Sequence, residues 1–98
     1  MVITGPQPRR FLVEWYGPRT SAPSIGDIVD RLNSRAELMT TRGTPVQLLT
    51  AMTVPADDYM FGVFAAESAE LVAQICADVG TPAERISCGV GWTRPLDR

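Results

Sequence analysis

Apolar and polar positions along the chain fall into six periodic stretches separated by breakers. From Arg10 to Tyr16 the run RFLVEWY is rich in aromatic and β-branched residues, and Gly17-Pro18 closes it with two strand breakers in succession. This predicts a first strand. After a loop over Ser21 to Pro23, Ser24 is placed to cap a helix, with Asp27 three positions on as a carboxylate variant of the capping box. Ile25, Ile28, Val29, Leu32, Ala36 and Met39 then recur at helical spacing, while Asp30, Arg31, Asn33, Ser34 and Glu37 fall elsewhere. A helix is predicted over 25–41, with Gly43 as its left-handed exit.

The next stretch, TPVQLLTAMTVP, has no helical period and reads as a second strand; Asp57-Asp58 supply a turn and YMFGVFAA a third strand. So short a link predicts an antiparallel hairpin, and Gly62 inside the third strand marks a bulge or a close approach. Ser68 caps a second helix, Glu70 suits its first turn, and Leu71, Val72, Ile75, Cys76 and Val79 form its buried stripe up to Gly80. In GTPAERI, Thr81 is expected to cap a single helical turn, with Pro82 first and Glu84 third, before a fourth strand RISCGVGW.

The order β-α-β-β-α-β predicts an α+β, ferredoxin-like domain: a four-stranded antiparallel sheet with two helices on one face. Residues 1–8 read as an extended N-terminal arm, 9–92 as the domain and 93–98 as a C-terminal tail lying on the surface or on a partner. The uncovered face is the informative one. Strict alternation sets Phe11, Val13 and Trp15 against Leu12, Glu14 and Tyr16. In the second strand it sets Val46, Leu48, Thr50, Met52 and Val54 against Gln47, Leu49, Ala51 and Thr53, and in the third Tyr59, Phe61, Val63 and Ala65 against Met60, Gly62, Phe64 and Ala66. A half-solvated sheet has one polar set, whereas here both are largely apolar. Apolar faces of more than a few hundred Å² are rarely left to water, so a homodimer is expected, its sheets face to face over an interface on the order of 1,200 to 2,000 Å², the alternative being a monomer whose tail or arm folds over the sheet.

RRFLVEWYGP, the early helix, the hairpin, VFAAESAELVAQICADVGTPAERI and the terminal strand together resemble a family of small ferredoxin-like bacterial proteins, a domain of unknown function that includes a streptomycete nickel-binding protein. Two signatures carry the resemblance, Phe11 to Glu14 and Gly80 to Ile86, and it spans roughly residues 9 to 91. It implies the ferredoxin-like fold and a dimeric α/β-barrel assembly. The nickel property transfers poorly, because the chain has no histidine and its two cysteines lie twelve residues apart.

Composition narrows the function classes. The chain has 98 residues, a formal charge of −2 and no basic run longer than Arg9-Arg10, so nucleic acid is not expected as a partner. No signal-peptide core and no membrane-spanning run occur, which predicts a cytoplasmic protein without a membrane partner. Cys76 and Cys88 read as thiols rather than a bridge. A Ser-His triad is excluded by the missing histidine, no phosphate-binding glycine loop or calcium loop is present, and no cofactor is expected.

Glu14 stands out as a carboxylate between Leu12 and Tyr16 on an otherwise apolar strand. It must be exposed at an edge, paired with Arg85 or another arginine, or held in a pocket that suits a general base or ligand anchor. Tyr16 and Tyr59 bring hydroxyls that pack or orient a ligand, Arg85 and Cys88 complete the candidate ligand-binding set, and Trp15 and Trp92 read as core or dimer anchors. The first expectation is a dimeric module binding a small, apolar molecule in a cleft beside the sheet. The alternatives are a cofactor-independent isomerase or monooxygenase using Glu14 and Tyr16, and a disfavoured nickel-handling role.

Overall fold

The computed structural model describes residues 9–16 and 25–89. The N-terminal arm, Gly17-Pro18, the Ser24 cap, Trp92, the tail and any continuation of the last strand beyond Gly89 lie outside the described residues. Six principal elements follow in order: β1 (Arg9–Tyr16), α1 (Ile25–Thr41), β2 (Val46–Val54), β3 (Tyr59–Ala66), α2 (Ala69–Asp78) and β4 (Arg85–Cys88). The strands form one antiparallel sheet in the order β2-β3-β1-β4, the ferredoxin-like arrangement that the element pattern predicts.

Both helices cover one face. Phe11, Val13 and Trp15 of β1 join Met60, Phe64 and Ala66 of β3 in a core cluster with Ile28, Leu32 and Ala36 of α1 and Val72, Ile75 and Cys76 of α2. Each large apolar side chain buried this way contributes on the order of 1.5 to 3 kcal/mol. The helices reach the sheet through ordered ends. Ser68 caps α2 by accepting the Leu71 N–H at 3.2 Å. Both exits are Schellman motifs: Gly43 and Thr44 donate to Thr40 and Met39, and Gly80 and Thr81 donate to Ala77 and Cys76, with Gly43 and Gly80 at φ +98° and +81°.

Two sequence expectations change. Strand β2 does not alternate strictly: it pairs Leu48 with Phe64 and then Thr50 with Val63, so the register skips Leu49. Val46 and Leu48 therefore share the helix side, whereas Thr50, Met52 and Val54 fall on the open side with Val63, Phe61 and Tyr59. Gly62 lies beside this irregularity and marks a close approach, for a Cβ there would stand 3.4 Å from Leu48 Cδ1 and 3.6 Å from Trp15 Cη2.

Nor does GTPAERI contain a helical turn, because β1 recruits its polar groups. The buried Trp15 indole donates to the Thr81 carbonyl at 2.9 Å, the Glu84 N–H donates to the Glu14 carbonyl at 3.0 Å, and the Glu84 carboxylate accepts the Tyr16 N–H at 3.0 Å. Glu84 caps the end of a strand rather than the start of a helix. These tertiary bonds outweigh the local capping tendency.

Candidate functional site on the open sheet face

Directly opposed residues of an antiparallel pair project to the same face, so the register alone lays out the side that the two helices leave free. One row crosses all four strands as Arg85, Glu14, Phe61 and Met52; the next carries Tyr16, Tyr59 and Val54. The sheet thus brings Glu14, Tyr16, Tyr59 and Arg85 together. Cys88 is not among them: it pairs with Phe11, whose side chain lies in the helix-side core, and therefore projects away from Glu14. Cys76 is fully buried, burial pushes its thiol up to about 12, and both cysteines are free.

A carboxylate on such a face needs partners. The Tyr59 hydroxyl donates to Glu14 Oε2 at 2.8 Å, and Arg85 Nε stands 3.7 Å from Oε1, an ion pair longer than a direct hydrogen bond. The two ends of that pair differ sharply, since the Glu14 side chain is 14% exposed and that of Arg85 68%. Of the sequence alternatives, the cross-strand arginine is therefore present, and the carboxylate is also largely withdrawn from water.

Rings flank the carboxylate. Tyr59 lies 5.5 Å from Tyr16 and 5.9 Å from Phe61 between centroids, tilted by 31° and 38°. Burial, then the hydrogen bond to Glu14 and its charge, push the Tyr59 phenol up to about 12. Tyr16 moves in the same direction, through partial loss of solvent first and Glu14 next, with Arg85 opposing. At neutral pH both phenols are proton donors, while Oε1 keeps acceptor capacity toward Arg85 and solvent.

Phe61 and Met52 belong to this face but were not singled out from sequence. The signal for Phe61 is its i+2 relation to Tyr59; the face of Met52, 54% exposed, depends on the break at Leu49. Elsewhere, an open groove of about 550 Å³ lies between the helices, where Arg35 already pairs with Asp78 at 3.0 Å. Among the described residues no group of three or more His, Cys, Asp or Glu side chains converges as a metal site, and no helix is long and apolar enough to cross a membrane.

Fold and open face together define a small α+β domain of the ferredoxin-like class. Its arrangement is similar to that of SCO4226 from Streptomyces coelicolor A3(2), a solved structure matched with a TM-score of 0.60 over 91% of this chain and 99% of that one. The two sequences are 18% identical, a level at which the likeness shows the fold alone. No family model matches the chain, and neither does any curated protein.

Proposed function

We propose that this protein is a homodimeric module whose open sheet faces oppose one another and enclose a small ligand beside Glu14. The observation that carries the reading is the Glu14 carboxylate itself, oriented by the Tyr59 hydroxyl at 2.8 Å and set beside the rings of Tyr16, Tyr59 and Phe61. Pockets for small molecules combine such an apolar lining with a few placed polar groups. The ligand is accordingly a molecule with an apolar body and one polar group that meets Glu14. The dimer supplies the cover that an apolar sheet face calls for. Membership of the small bacterial ferredoxin-like family draws on the same fold and on the Phe11–Glu14 and Gly80–Ile86 stretches.

The test is chemical-shift mapping of the full chain against a panel of small phenols, alcohols and amines. Saturable shifts confined to Tyr16, Tyr59, Phe61 and Met52 support the site. Shifts confined to the helix face, or none from any compound, overturn it.

A second reading rests on the same hydrogen bond. In a cofactor-independent isomerase or monooxygenase, Glu14 serves as the base and Tyr59, its phenol pushed up to about 12, holds and returns a proton. Turnover of an enolisable or phenolic compound that disappears in Glu14→Gln distinguishes this from binding alone. The nickel alternative draws no support from the described residues, whose potential ligands do not cluster.

A further inference from the structure

The chemical class of the ligand follows from what surrounds Glu14, and the inference rests on the reading of that face as a ligand site. Three rings, Tyr16, Tyr59 and Phe61, stand beside one carboxylate, with Tyr59 5.5 Å from Tyr16 and 5.9 Å from Phe61. Ring faces carry negative potential and attract a cation within about 6 Å of the centroid, more strongly where water is excluded. By donating its proton to Glu14 at 2.8 Å, the Tyr59 hydroxyl makes its own ring richer in electrons.

The chain already sets a cation here. Arg85 approaches Glu14 only to 3.7 Å, is 68% exposed and stands on a four-residue edge strand. Only the arginine end of the pair is exposed and its contact is longer than a hydrogen bond, so a second cation that brings the same charge closer to Glu14 competes with it. We propose that the Glu14 face binds a small organic cation of the alkylammonium class, with its charge against Glu14, its apolar substituents over the rings of Tyr16, Tyr59 and Phe61, and Arg85 turned outward.

Other ligand chemistries fit less well. An anion meets Arg85 but is opposed by the carboxylate and three ring faces. A neutral apolar molecule that displaced Arg85 leaves a largely buried carboxylate without its counter-charge, which is costly. A bare divalent ion needs several oxygen donors, and the described residues assemble no such group. An alkylammonium ion replaces the counter-charge and covers the rings at once.

The test compares choline with its neutral carbon isostere, in which a tert-butyl group replaces the trimethylammonium, by NMR titration of the full chain. Choline is expected to shift the Tyr16, Tyr59 and Phe61 ring signals saturably and to bind about tenfold more tightly than the isostere. Glu14→Gln removes that preference, Glu14→Asp keeps most of it, and Arg85→Ala tightens choline roughly threefold by removing the competing cation. Equal binding of choline and isostere overturns the cation inference and leaves the site intact, as does silence from choline while neutral members of the panel bind. Weaker choline binding in Arg85→Ala overturns the competitor role of that arginine. Silence from every compound tested overturns both the inference and the site reading beneath it.

Discussion

Tyr59 donates its phenolic hydrogen to Glu14 at 2.8 Å from the diagonal position of the β1–β3 ladder, since Glu14 lies opposite Phe61 and Tyr59 opposite Tyr16. That bond fixes Oε2 and leaves Oε1 directed at an exposed arginine. A carboxylate is thereby held in one orientation on a face made mostly of rings and aliphatic side chains, and the functional reading is built on that orientation.

Removing the donor tests the coupling. Tyr59→Phe is expected to cost about 1 to 2 kcal/mol, because a bond to a charged group is lost and a largely buried carboxylate loses a partner. Urea denaturation measures it. The loss should shrink in a Glu14→Gln background, where the phenol meets only a neutral amide oxygen.

Alkaline pH reads the same bond from the other side. Tyr59 is raised from 10.0 to about 12, and Cys76 from 9.0 to about 12 by burial. Each group is neutral below its unfolded value, so its stabilising contribution is whole there and is lost as pH climbs through the folded value. Stability should therefore fall between about pH 9 and 12, with Tyr59→Phe and Cys76→Ala each flattening part of the decline. In a spectrophotometric titration, Glu14→Gln should bring the higher tyrosine transition down, since the carboxylate is among its causes.

The join between α2 and β4 makes a separate prediction. Trp15→Phe strands the buried Thr81 carbonyl that accepts its indole at 2.9 Å and should cost about 1 to 3 kcal/mol. Gly80→Ala forces a side chain into φ +81° and should cost about 1 to 2 kcal/mol. Gly62→Ala, by contrast, meets only ordinary contacts at 3.4 to 3.6 Å and should change stability by less than about 0.5 kcal/mol. Thermal and urea melts of the three variants check the order.

Most of this architecture was legible because the signals that carry it are local. The helix over 25–41 shows in the spacing from Ile28 to Met39, and the glycine exits show in Gly43 and Gly80. What was not legible depends on partners distant in sequence. Nothing around Leu49 announces that the ladder skips a residue, a misfit set by pairing with Phe64 and Val63. The segment from Thr81 to Glu84 carries a capping pattern, yet Trp15, Tyr16 and the Glu14 carbonyl claim its groups. Within the candidate site, Glu14 drew notice as a charge in an apolar run, and Arg85 and the two tyrosines followed as plausible partners. Cys88 was misgrouped because its face follows from pairing with Phe11 rather than from composition.

The dimer is tested on the same face. Met52 sits on the open side and is 54% exposed. The wild-type chain should sediment as a dimer at micromolar concentration, and Met52→Asp should weaken association by more than about tenfold by placing a charge in an apolar interface. A monomeric wild type contradicts the opposed-sheet arrangement.

The central claim is that Glu14, oriented by Tyr59, anchors a small ligand on the open sheet face. The most direct measurement is the carboxyl carbon signal of Glu14, followed by NMR while choline is titrated into the full chain, with Tyr59→Phe as the comparison. The account predicts a saturable shift of that signal in step with the Tyr16, Tyr59 and Phe61 rings, and weaker binding in Tyr59→Phe. A Glu14 signal that stays fixed while other regions of the protein respond contradicts it.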